Sequence, residues 1–139
     1  MSNLYKKYLS LKIEDANYYY LFESGIFYIF IAEDAKFMSQ LLNLKLTNLN
    51  SYVVKCGFPT THLNKYLSKI SALNYNVKIV SSDSFLAYSQ KDYFSNKNSR
   101  EFLKKVSNID TNSLSISEAF ELLEELASEA TDIINEIER

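Results

Sequence analysis

Apolar residues fall in short unbroken runs through the first eighty positions, then recur at helical intervals toward the C-terminus. Leu4, Tyr8 and Leu11 share one face of a helix over residues 3–13, with Lys6, Lys7 and Lys12 elsewhere on its surface. The runs YYYLFE at 18–23 and IFYIFIA at 26–32 are aromatic and β-branched, separated by Ser24-Gly25. They read as a hairpin of two strands. Both are apolar almost throughout, as central strands covered on two faces should be.

Glu33 and Asp34 suit the positive end of a following helix, with Phe37, Met38, Leu41 and Leu42 inward. Leu44–Leu46 and Tyr52–Cys56 predict two short strands around the turn-rich NLNS. Gly57-Phe58-Pro59 should break the pattern. Thr60 or Thr61 then caps a helix over 62–73 that turns Leu63, Tyr66, Leu67 and Ile70 inward. Val77–Val80 is a further strand. In the Ser- and Asn-rich stretch from Ser81 to Asn112, two short helices are expected at 84–93 and 99–106.

The tail is the clearest single element. Ser115, with Glu118 three residues on, forms a capping box that starts a helix from Ile116 to about Glu138. Ile116, Phe120, Leu123, Ala127, Ala130, Ile134 and Ile137 alternate by four and three along one seam, widened by Ala119, Leu122, Leu126 and Ile133. So broad a stripe left in water is a large apolar patch. It packs on its own domain or on a second copy. At ~1.5 Å per residue the helix reaches ~33 Å, which favours self-association for its distal half.

The expected architecture is therefore mixed α/β: a mixed sheet of about five to six strands flanked by helices, with a C-terminal amphipathic helix. Three segments are expected: an α/β body at 1–82, a helical and loop extension packed on it at 83–112, and the acidic helix at 113–139.

Composition adds limits. The chain has 139 residues, 47% of them hydrophobic, which suits one core-forming domain with an appended helix. Cys56 is the only cysteine, so no intrachain disulfide and no cysteine-based metal site can form, which points to a reducing cytoplasm. The N-terminus lacks the long apolar core of a signal peptide, and no membrane association is expected. Charge is divided: residues 1–110 carry 14 basic against 9 acidic side chains, while residues 111–139 carry one against eight. The basic part suits a phosphate backbone, although both parts also read as ordinary solvated faces.

Five pieces in order resemble the N-terminal, mismatch-reading domain I of the MutS repair proteins. They are Gly25-Ile26-Phe27-Tyr28-Ile29; Leu41-Leu42 followed by Leu44-Lys45-Leu46-Thr47; Gly57-Phe58-Pro59; Tyr66-Leu67; and Val77-Lys78-Ile79. The resemblance covers about residues 3–82. The tail IDTNSLSISEAFELLEEL is similar to the end of MutS chains, where such a helix helps to pair subunits. The resemblance thus implies a stand-alone, divergent member without the clamp and the ATPase. No Gly-rich phosphate loop is present in the sequence.

In that family a Phe at the place of Phe27 wedges into the base stack at a mispair, and a Glu two residues later bonds to the base. Here Phe27 is kept, Ile29 stands in place of the Glu, and Ile26 in place of an Asp. Asn48-Leu49-Asn50 follows where the family presents basic residues. The resemblance implies double-stranded DNA as a partner, with mismatch readout lost or altered. The DNA-facing candidates are Phe27 and Tyr28, with Lys6, Lys7, Lys12, Lys45, Lys65 and Lys69 for phosphate contact. Read from the residues alone, an aromatic inside an apolar strand is ordinarily core. Whether its ring reaches solvent separates the two readings. Alternation places Phe27, Ile29 and Ile31 on one face and Ile26, Tyr28 and Phe30 on the other.

Catalysis is not expected. His62 is the only histidine and sits at a helix start. Cys56 reads as a small buried residue. No cofactor and no metal are expected. Two functional readings remain: a non-catalytic DNA-associated module that forms a homo-oligomer through its C-terminal helix, or a regulatory protein that keeps the fold and binds another protein, such as a repair protein, instead of DNA.

Overall fold

A computed structural model describes residues 3–138. These divide into two compact units, the first ending at Gln90 and the second beginning at Lys91.

The first unit is built on a six-stranded mixed sheet. Helix α1 (Asn3–Glu14) leads into strands β1 (Tyr19–Ser24) and β2 (Phe27–Ile31), then helix α2 (Ala32–Leu41). Strands β3 (Thr47–Asn48) and β4 (Val54–Pro59), helix α3 (Leu63–Ala72), and strands β5 (Val77–Val80) and β6 (Ala87–Ser89) follow. The strand order is β3-β4-β2-β1-β5-β6. Only the β1–β5 pair is parallel. The apolar runs read from the sequence are thus the two central strands.

The layers follow from side-chain alternation. Leu21, Tyr28, Phe30, Cys56, Phe58 and Ile79 point to the layer of α2 and α3, which bury Ala35, Met38, Leu63, Leu67 and Ile70. Phe58 stacks on Tyr66 of α3 with ring centroids 4.4 Å apart. On the opposite face Tyr20, Phe22, Ile29, Ile31 and Val80 cluster with Tyr8 and Leu11 of α1.

With only two glycines, the chain uses other residues where a left-handed conformation is needed. Asn43 and Asn74, at φ 54° and 64°, follow the ends of α2 and α3. The next residues close the helices by Leu44 N–H to Ser39 O (2.9 Å) and Tyr75 N–H to Ile70 O (3.2 Å). This is the C-terminal motif in which asparagine substitutes for glycine. Gly25 itself, at φ +61°, is the first residue of the two-residue turn between the closing pair Ser24 and Phe27.

Several boundaries differ from the sequence expectations. Leu44–Leu46 is not a strand, because Leu44 spends its N–H on finishing α2. The strand begins at Thr47. The second strand starts later than Tyr52, since the side chain of Asn50 accepts from Tyr52 N–H and Val53 N–H (2.8 and 2.9 Å) and holds them in a turn. Gly57-Phe58-Pro59 does not break the pattern; it completes β4, paired with Ile29, Tyr28 and Phe27. Neither Thr60 nor Thr61 caps α3. They belong to a 3-10 turn at 60–62, and His62 precedes the helix without a side-chain cap bond. The segment 84–93 is not a helix: Ala87–Ser89 adds an edge strand to β5, and one continuous helix follows.

The second unit is a helical hairpin. Helix α4 (Gln90–Ser107) and helix α5 (Ile116–Ile137) are joined through a 3-10 turn at 111–113. Asn98 reaches Glu136 (3.3 Å), and Lys105 bridges Glu125 and Glu129 (2.9 and 2.7 Å). Numbers rising on one helix fall on the other, so the two run antiparallel. Ser115 caps α5 as expected, its hydroxyl accepting from Glu118 N–H at 3.1 Å.

Candidate nucleic-acid interface

Cross-strand pairing assigns each residue of the central strands to a face. Ser24 pairs with Phe27, Ile29 with Gly57, Ile31 with Lys55, and Lys55 with Thr47. All of these therefore share the α1 face. Helix α1 covers only part of it. Past its cover lies a cavity of about 260 Å³ whose lining includes Phe27, Ile29, Lys45, Thr47, Lys55 and Gly57. Gly57 makes its floor. A Cβ there would lie 2.3 Å from Tyr28 O and 2.8 Å from a methyl of Ile29, so β4 approaches β2 too closely for any side chain.

Phe27 is 44% exposed, and Ile26 beside it in the turn is 72% exposed. Of the two readings left open by the sequence, core or solvent-reaching ring, the second is the one observed. The position explains it: Phe27 is the first residue of β2, at the hairpin end, outside the cluster that α1 seals. Tyr28 goes the other way. It is 2% exposed, with its ring 6.1 Å from Phe58 in the α2–α3 layer. This corrects its expected place on a DNA surface, since its ring belongs to the core.

The six lysines also separate. Lys45 lines the same cavity as Phe27. Lys6 is exposed and Lys7 half-buried on α1. Lys65 and Lys69 are exposed on α3, in the layer on the opposite face of the sheet from Phe27. Lys12 points inward: its Nζ lies 2.7 Å from Asp34 Oδ1 and donates to Tyr18 O at 2.8 Å. That engagement makes Lys12 a structural residue rather than a free phosphate ligand. Lys55, overlooked in the sequence, lines the cavity instead. Its alternation with Gly57 along β4 was the available signal.

Asp34 was expected only as a helix-start acid, yet it is buried (2% exposed). Its Oδ2 accepts from Tyr20 N–H at 2.9 Å, where β2 has turned into α2 and offers β1 no further backbone partner. Tyr8 Oη also donates to it, at 3.3 Å. Burial pushes the carboxyl above the usual carboxylate range, and the bonds from Lys12, Tyr20 and Tyr8 oppose that shift. Burial likewise raises the Tyr8 phenol and pushes the Cys56 thiol up to about 12. Cys56 Sγ contacts Ala35 O at 3.5 Å. His62 is exposed.

In the second unit, Ile116, Phe120, Leu123, Ile134 and Ile137 are exposed, as is Ala127, with Ala130 half-buried. Toward α4 lie Glu125, Glu129, Ile133 and Glu136, while Ala119, Leu122 and Leu126 of the widening set are half-buried. Among the described residues no helix is long and apolar enough to cross a membrane.

The first unit is thus a mixed, mainly antiparallel sheet with helices on both faces, and an exposed aromatic stands at its hairpin tip beside a lysine-flanked cavity. Residues 2–114 match the MutS domain I family, and the chain belongs to it. It is similar to the DNA mismatch repair protein MutS of Thermotoga neapolitana, with 37% identity over 79 residues, 57% of this chain and 10% of that protein. The MutS of Petrotoga mobilis is 35% identical over 79 residues, with the same coverage of both chains. That of Rickettsia africae is 33% identical over 82 residues, 56% of this chain and 9% of the relative. The alignments thus span about a tenth of these curated relatives.

Proposed function

We propose that the chain is a non-catalytic, DNA-associated module that meets a duplex with the β1–β2 hairpin tip. The observation that carries this reading is the exposure of the Phe27 ring beside a cavity flanked by Lys45 and Lys55. An exposed aromatic offers a stacking surface to an unpaired or weakly paired base, worth ~1–3 kcal/mol. The lysines add salt-dependent attraction to phosphates. Ile29 supplies no polar group to read that base, so little preference between mispaired and perfect duplex is expected.

A titration with both duplexes at low and moderate salt tests this. Salt-dependent binding that weakens roughly 5- to 150-fold in Phe27→Ala is the expected result. Absence of any salt-dependent binding sinks the DNA reading. In that case the adjacent exposed apolar groups of Ile26 and Phe27 favour the second reading, a protein partner docked at the same tip.

A further inference from the structure

We infer that the cavity beside Phe27 is a binding site for a single nucleotide, seated with its base over Gly57 and its phosphate toward Lys55 and Lys45. A free mononucleotide and one extruded from a strand share that chemistry. Only the extruded source rests on the DNA-associated reading proposed above.

The lining is amphipathic, and strand register separates its two halves. Ile29 pairs with Gly57 and Phe27 with Pro59, so Phe27, Ile29 and Gly57 form an apolar wall and floor on one face of the sheet. The floor is backbone alone, since β4 and β2 leave no room for a side chain at Gly57. Such a gap admits a flat ring. One pleat from Gly57 along β4, ~7 Å, stands Lys55. Thr47 of β3 pairs with it, and Lys45, two residues earlier, lines the outer side. An apolar wall and floor with positive charge at one end and one side suits a planar group joined to an anion.

Charge and size narrow the occupant. The lining holds two lysines and no carboxylate. Among the described residues neither lysine forms an ion pair. By contrast, the groove between α4 and α5 is lined by four acids and one lysine, and the cavity at the start of β5 by no charged side chain. Of these three cavities, only the one beside Phe27 favours an anion. Its volume of about 260 Å³ is smaller than the ~300–1,000 Å³ clefts that enclose drug-sized ligands, so it suits one nucleotide and not a run of stacked bases. The hydroxyls of Ser24 and Thr47 supply bonds to the base edge or the sugar.

Amide spectra of the isotope-labelled full chain, titrated with thymidine monophosphate, thymidine and inorganic phosphate, test the site. The nucleotide should shift Phe27, Gly57 and Thr47, with thymidine or phosphate alone binding about tenfold more weakly, because each keeps half of the contacts. Thr47→Phe, at an exposed position, places a ring in the cavity and should abolish the shifts while the spectrum stays that of a folded chain. In a second arm, a duplex carrying an unpaired 2-aminopurine should gain fluorescence several-fold on binding, a gain missing in Thr47→Phe although the duplex still binds. Shifts without that gain assign the free nucleotide as the source, and the gain without shifts assigns the extruded one. Duplex binding with neither would overturn the pocket and leave stacking at the hairpin tip standing. Nucleotide shifts without any duplex binding would sink the DNA reading and keep the pocket, and the absence of both would sink the two together.

Discussion

Phe27 and Tyr28 are neighbours in β2 whose rings leave opposite faces of the sheet, one 44% exposed and the other 2%. Their substitutions should therefore separate binding from stability. Phe27→Ala is expected to change unfolding free energy by less than about 1 kcal/mol, as surface changes do. Tyr28→Ala should cost about 3–5 kcal/mol, as truncation of a buried aromatic does. Urea denaturation of the pair checks this, and equal losses would refute the assignment of faces.

The two glycines should fail for different reasons. Gly57→Ala drives a methyl into Tyr28 O and Ile29, so a loss of about 1–3 kcal/mol or more is expected. Gly25 has no atom near a would-be Cβ, and its substitution meets only the left-handed backbone at φ +61°. Gly25→Ala should cost about 1 kcal/mol, and Gly25→Asn less. Thermal melts of the three variants distinguish sterics from conformation.

Asp34 should give stability a pH dependence of definite sign. A carboxyl whose folded-state pKa lies above its unfolded value holds its proton longer when folded. Stability is then fullest below about pH 4, the unfolded value, and declines as pH rises through the folded one. Relative to Asp34→Asn, the wild type should lose ground between pH 4 and pH 7 in urea unfolding. If it gains instead, attraction to Lys12 outweighs burial.

Cys56 should be inert in the native protein. Its thiol is buried and pushed up to about 12, leaving almost no thiolate at neutral pH. Alkylation at pH 7.5 should proceed only under denaturing conditions; rapid labelling of the native protein would show that β4 opens.

Central strands and the long tail helix were legible in the residues because each carries an unbroken or strictly periodic apolar signal. Val77–Val80 and Ser115 fell where that signal put them. Edge elements were not, because their positions rest on local bonds that leave little compositional trace. Asn50 delaying β4, and Leu44 closing α2, are two such cases. Alternation placed Phe27 on the correct face but said nothing of how far α1 extends over it. Burial of Asp34 was readable in hindsight, since it stands four residues before Met38 on the buried side of α2. Which row of α5 meets α4 was not legible, because the stripe is wide enough for two rows and the bonds from Asn98 and Lys105 of α4 are long-range.

Both borders of the sheet are very short: two residues in β3 and three in β6. Beyond β3 the outer strand runs to Pro59, which has no amide hydrogen to offer an incoming chain. A long, unpaired rim of backbone donors and acceptors is the usual template for runaway fibre growth, and neither border provides one. The head is consequently poorly suited to recruit further copies edge to edge.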